Sequence, residues 1–234
     1  MQIGSSPRCF ALVPCAGSGS RAGPGEPKQY RSVAGRPVVA HTLAALGAVE
    51  QLTATLVVLS PDDERFAALL PGFEGERGWV CRAGGATRAD TVANGLDELL
   101  ARGAQPHDWV LVHDAARCLL QREWVQRLIA ACENDEVGGL LALPLADTLK
   151  QEAQGRVQAT VDRAHKWAAQ TPQMFRLGLL RPALAHAGAG VTDEASAVEA
   201  LGHAPKLVRG EFENFKLTWP GDFELAERLF ATRR

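Results

Sequence analysis

A chain of 234 residues with 46% apolar side chains can bury one full core, and its formal net charge of −2 offers no global field to nucleic acid or an anionic membrane. Five cysteines (Cys9, Cys15, Cys81, Cys118 and Cys132), without CxxC pairs or zinc spacing, read as reduced thiols of a cytoplasmic protein rather than a disulfide framework or a metal site. The N-terminus makes a poor secretory signal, and no apolar run approaches the ~20 residues of a membrane span.

Apolar runs of strand length begin at Phe10–Val13 and recur at Thr55–Leu59, Trp79–Cys81, Trp109–Val112 and Gly139–Leu143. Between them, Val38–Leu46, Asp63–Leu70, Arg88–Leu100 and Glu123–Cys132 carry helical spacing. The alternation predicts an α/β fold: a Rossmann-like, mostly parallel twisted sheet with helices on both faces and right-handed crossovers. After Pro144 the rhythm breaks. The polar residues 147–163, with Gly155 inside "KQEAQGRVQATV", read as a projecting β-arm; a plain surface hairpin fits the same residues. Helices at Leu177–Ala187 and Asp193–Ala200, short strands at "KLVRG" and "NFKLT", and a closing helix in "WPGDFELAERLFATRR" complete the chain. Without repeat, linker or boundary, residues 1–234 read as a single, monofunctional domain.

In open α/β sheets ligands bind beyond the carboxyl ends of the strands. That places chemistry in Pro14–Lys28, Gly84–Thr91, His113–Arg117 and Asp147–Lys150. The first of these is long, bare and cationic. Gly17, Gly19 and Gly23 give GxGxxxG, which is neither the dinucleotide fingerprint nor a Walker A loop. Glycines still let backbone N–H groups face an anion, Arg21 can fork onto phosphate oxygens, and Lys28 supplies a point charge. Lys28 and Lys216 are two of only 5 lysines beside 20 arginines, as if an ammonium were needed there. A flexible surface loop accounts for the glycines, but not for the length of the segment.

"PCAGSGSR" with "PKQY" resembles the signature loop of nucleotidyltransferases that activate sugar or polyol phosphates. It is most similar to the 2-C-methyl-D-erythritol 4-phosphate cytidylyltransferase family. "RADTVANGL" (88–96), "VLVHDAAR" (110–117), "DTLK" (147–150), "TVDR" (160–163), "QTPQMF" (170–175), "TDEASAVE" (192–199) and "NFKLT" (214–218) resemble further blocks in the family's order, so the likeness covers residues 8–230.

The resemblance implies transfer of a cytidylyl group from CTP to methylerythritol 4-phosphate, with magnesium (Mg2+) on the triphosphate oxygens and no protein metal ligand assigned. It implies catalytic roles for Arg21, Lys28 and Lys216. Nucleotide contacts fall on Pro14, Cys15, Ala16, Gly17 and Gly19, on Gly84, Gly85, Ala86 and Thr91, and on Asp114 and Ala115. Thr91, where serine is common, would offer the base a hydroxyl. Ala86 stands where an aspartate is frequent, which puts base selection in question. Cys118 stands where the family continues with proline. Methylerythritol phosphate would be held by Asp114, Arg117, Thr171 and Thr192, and by Thr148 and Arg163 from the arm of a second subunit, implying a homodimer.

Bland readings stand beside these. Asp114 or Thr192 fits a helix N-cap, Arg117 a surface ion pair, Lys216 a solvated strand lysine and His113 a packed residue. The scattered tryptophans give no nucleic-acid platform. A ribitol 5-phosphate cytidylyltransferase and a non-catalytic nucleotide-binding domain are the rival functions.

Overall fold

The structure, a computed structural model, describes residues 6–17, 26–187 and 190–233. In chain order its elements are β1 (Cys9–Pro14), β2 (Ser32–Val33), β3 (Arg36–Pro37), α1 (Val38–Gly47), β4 (Ala54–Val58), α2 (Arg65–Leu69), β5 (Gly78–Cys81), α3 (Arg88–Ala101), β6 (Trp109–Val112), α4 (Arg122–Cys132), β7 (Gly138–Pro144), β8 (Leu149–Ala153), β9 (Arg156–Val161), β10 (Trp167–Arg176), α5 (Leu177–Ala187), α6 (Glu194–Ala200), β11 (Lys206–Arg209) and α7 (Pro220–Thr232).

β1 is apolar throughout because both of its faces are covered, as in parallel sheets generally. It pairs in parallel with β4 and β6, and β5 extends the sheet beyond β4. The order is β11-β7-β10-β6-β1-β4-β5, in which β10 alone runs against its neighbours. Alternate side chains of β1 serve opposite layers. Ala11 and Val13 pack with Leu43 and Leu46 of α1 and Leu128 of α4; Phe10 and Leu12 pack with Leu96 and Leu99 of α3 and Leu180 of α5. A third cluster seats Phe223 and Ala226 of α7 on Val33, Val38 and Leu217.

Three sequence expectations change. "NFKLT" is not a strand: residues 214–218 run irregularly into α7, with Leu217 N–H bonded to Ala116 O at 2.9 Å. The helix expected over Asp63–Leu70 shortens to α2, because Asp63 accepts from the N–H groups of Arg65 and Phe66 and so lies ahead of it. β10 was not foreseen, since Gln170, Thr171, Pro172 and Gln173 interrupt its apolar pattern. Yet those three polar side chains are buried and hydrogen-bonded within the fold.

The arm is the two-stranded ribbon β8–β9, turned at Gln154 and Gly155, whose φ values of 53° and 75° suit a tight two-residue hairpin. Nearly all its side chains are exposed. Among the described residues no helix is long and apolar enough to cross a membrane.

Gly138 opens β7 at φ 108°, and a Cβ there would lie 2.2 Å from Met174 O. Gly138→Ala should therefore destabilise the protein by about 2 kcal/mol or more, read as a lower urea midpoint. An unchanged midpoint would contradict the tight β7–β10 seam.

Candidate active site

A cavity of about 500 Å³ opens at the carboxyl ends of β1 and β6 and the start of α3. Ligand pockets commonly have this size. Pro14, Cys15, Ala16 and Gly17 line one side, Gly85, Ala86, Thr87, Arg88 and Thr91 another, and Asp114, Ala115 and Ala116 the floor; Lys28, Gln29 and Lys216 close it. Three of the four loops expected to carry chemistry thus meet here. Asp147–Lys150 does not, because it starts the exposed arm.

Local packing fixes the two glycine-bearing walls. The buried Gln29 amide donates to Cys15 O at 3.1 Å and Gly17 O at 2.9 Å, tying the loop back onto its strand. Gly84 N–H donates to Leu59 O at 2.8 Å, and a Cβ on Gly84 would stand 2.4 Å from Ala16 Cβ. Gly85 N–H donates to Thr91 Oγ1 at 3.1 Å, while the Thr91 hydroxyl donates to Thr87 O at 2.9 Å. Thr91 therefore holds this turn, and offers a ligand only an oxygen lone pair. Thr87 caps α3 through a reciprocal pair with Asp90.

Charge gathers on Asp114, which is 7% exposed. Its Oδ1 accepts from Arg88 Nε at 2.9 Å; its Oδ2 faces Lys216 Nζ at 3.0 Å and Arg117 Nε at 3.4 Å. Burial alone would push this carboxyl up, but Arg88, Lys216 and Arg117 outweigh it and hold the group well below the usual carboxylate range. Arg88 also reaches Glu194 with both terminal nitrogens, at 2.7 and 3.1 Å. Burial disfavours the Arg88 charge, yet Glu194 and Asp114 raise its pKa above the ordinary value. Arg117 donates to Asn214 O at 2.7 Å and Lys28 to Leu217 O at 2.9 Å, so both bind the segment that carries Lys216.

Asp114 is thus an ion-pair centre rather than an N-cap, and Lys216 belongs to no strand. Thr171 is buried beneath Asp114: its hydroxyl accepts from Asp114 N–H at 3.1 Å and meets His113 Nδ1 at 3.0 Å. His113 is 0% exposed, and its Nε2 faces Arg117 O at 3.3 Å. A carbonyl only accepts, so Nε2 carries the proton and Nδ1 accepts from Thr171. Thr192 is exposed beside a neighbouring cavity, and the cap of α6 is Asp193. Thr148 and Arg163 lie exposed at the ends of the arm and do not line the cavity. Gly19 and Arg21 fall outside the described residues. Arg88, Glu194 and Gln29 were missed; each sits in a recognised block, but their types there suggested ordinary helix-end or loop polarity. Among the described residues no three His, Cys, Asp or Glu side chains group to hold a metal, and the one carboxylate in the wall already faces three cations. This set does not fit a resident magnesium site.

Residues 9–232 match the family model of 2-C-methyl-D-erythritol 4-phosphate cytidylyltransferase. The chain belongs to this family. A 2-C-methyl-D-erythritol 4-phosphate cytidylyltransferase of Burkholderia cenocepacia is 52% identical over 231 residues, covering 97% of each chain. A bifunctional IspD/IspF enzyme of Albidiferax ferrireducens is 59% identical over 232 residues; the match takes in 99% of this chain but 55% of that longer relative. A crystal structure of 4-diphosphocytidyl-2C-methyl-D-erythritol synthase superposes with a TM-score of 0.86 at 42% identity, over 97% of this chain and 100% of that one. The α/β sheet expected from the alternation of strands and helices is therefore the fold, in mixed form through β10.

Burial pushes His113 down to about 4, against about 6.5 in an unfolded chain. Between those values the unfolded state binds a proton that the folded state refuses, so stability rises with pH across the window and falls by about 3 kcal/mol as pH drops through it. Asp114, held low, adds its own loss below the carboxylate range. Urea midpoints from pH 7.5 down to 4.5 should show this slope, and His113→Gln should flatten it; equal slopes would contradict a neutral buried imidazole.

Proposed function

We propose that this chain transfers the cytidylyl group of CTP to 2-C-methyl-D-erythritol 4-phosphate, giving 4-diphosphocytidyl-2-C-methyl-D-erythritol and pyrophosphate for isoprenoid precursor synthesis. One observation carries the reading beyond family membership: Lys28 and Lys216, 188 residues apart in sequence, converge on one glycine-walled cavity beside Asp114.

An oxygen of the methylerythritol phosphate attacks the α-phosphorus of CTP, a new P–O bond forms, and the bond to the β-phosphate oxygen breaks as pyrophosphate departs. The nucleophile is already an anion, so no general base is needed, and the buried neutral His113 takes no part. The obstacle is repulsion between anions, which positioned cations relieve. In this reading Lys28 and Lys216 face the phosphates, Arg21 joins them from the glycine loop, and Gly17, Gly85 and Ala86 offer the nucleotide main-chain contact. Magnesium enters as part of the substrate, carried on the triphosphate oxygens. Arg117 and Asp114 face the second substrate. Thr148 and Arg163 serve the neighbouring site of a homodimer; the exposed, two-stranded form of the arm supports this, because such a ribbon is marginal alone. Free thiols at all five cysteines suit a cytoplasmic setting.

Pyrophosphate release from CTP and magnesium should appear with methylerythritol 4-phosphate and not with ribitol 5-phosphate. Turnover with ribitol phosphate alone would move the protein to the rival pathway, and silence with both would favour a nucleotide-binding domain. Lys28→Ala and Lys216→Ala should each lower kcat about a hundredfold or more. Melting temperature should move much less than activity, since the Lys28 bond to Leu217 O is only part-buried and Asp114 keeps Arg88 and Arg117 when Lys216 is removed. Parallel losses of activity and stability would overturn these assignments.

A further inference from the structure

Behind Asp114 stands a second carboxylate that the reaction does not touch. Glu194 opens α6, its side chain is 0% exposed, and it does not line the nucleotide-sized cavity. Its two oxygens accept from both terminal nitrogens of Arg88, at 2.7 and 3.1 Å. Arg88 meets Asp114 through Nε, which donates to Oδ1 at 2.9 Å. A guanidinium beside a carboxylate tends to take both oxygens through parallel bonds. Glu194 occupies that fork. Arg88 covers one Asp114 oxygen, and Oδ2 faces Lys216 at 3.0 Å and Arg117 at 3.4 Å.

β10 holds Glu194 in place. The side chain of Gln173 accepts from Ala195 N–H at 2.8 Å and donates to Asp193 at 2.8 Å, so the first turn of α6 is pinned to the sheet. A buried ion pair adds little stability over an apolar pair of similar size. The geometry it imposes on Asp114 is the better account of its presence.

We propose that Glu194 is a positioning residue for the transfer reaction. By engaging the fork of Arg88, it leaves the second oxygen of Asp114 to Lys216, with Arg117 beside it, and so fixes that ammonium at the cavity. The inference rests on the activity proposed above for its kinetic consequence, but not for the coupling itself.

The test compares wild type, Glu194→Gln and Glu194→Asp in two assays. One is steady-state pyrophosphate release; the other is acetylation of Lys216 by acetic anhydride without substrates, read by mass spectrometry. In Glu194→Gln the fork of Arg88 should turn onto Asp114 and release Lys216. Then kcat should fall about tenfold or more while the KM for CTP stays within about twofold. Lys216 should acetylate several-fold faster, because its nitrogen is no longer held against Asp114 Oδ2. Glu194→Asp keeps the charge with a shorter reach, and should lie between; it decides the matter by the same criteria if the Gln variant does not fold. Wild-type kcat and wild-type labelling in a folded variant would overturn the proposal, whatever the melting temperature. A silent wild-type enzyme would defeat the activity reading instead, and the labelling would still decide whether Glu194 governs Lys216.

Discussion

Three cations from three distant parts of the chain meet on the two oxygens of one buried carboxylate. Arg88 comes from the start of α3, Arg117 from the turn after β6 and Lys216 from the segment before α7; Asp114 holds all three. Without it, like charges would face one another at low local dielectric, and the fold would have to pull them apart. With it, cationic side chains can wait in a closed structure for an anionic ligand. The carboxylate is their standing counterion, and the same pairings remain available to them once the ligand has gone.

The rest of the architecture can be read as the means of bringing that carboxylate to its partners. The parallel strands β1 and β6 deliver the glycine loop and Asp114 to the same end of the sheet. The reversed strand β10 then does what a parallel neighbour in its place would not do in the same way. It lays Thr171 under the backbone of Asp114 and Gln173 under the start of α6. Polar side chains in the middle of a sheet are costly unless bonded. Here each is bonded: Gln170 to Glu211 O, Thr171 to the backbone of Asp114 and Gln173 to the start of α6.

Much of this was legible in the chain itself. The apolar runs before Pro14 and His113 located the central strands, because strands covered on both faces need no alternation. The loops after them located the cavity. β10 was hidden for a physical reason: its buried glutamines and threonine find their partners in distant segments, and a sequence does not show which polar residues will find partners. The "NFKLT" segment misled in the opposite sense. Its residues favour a strand, but its backbone serves Lys28 and Arg117 instead of a sheet edge. Asp114 could be named from its block, whereas Glu194 could not be distinguished from an acidic residue placed for the helix dipole. Its role depends on where Arg88 points, and that is fixed only in three dimensions.

The turn between β5 and α3 is confined on both sides. Gly84 leaves no room for a side chain against Ala16, Gly85 presses on Asp90, and Thr87 closes the first turn of the helix at once. Nothing in so short a connection can absorb a change in its number of residues. Each position added to or removed from a helix start rotates the remainder of the helix by roughly 100°. An insertion of one residue there would leave every side chain of the site present and chemically intact, yet aim Arg88 away from both carboxylates. For this stretch, length is a stricter inheritance than composition.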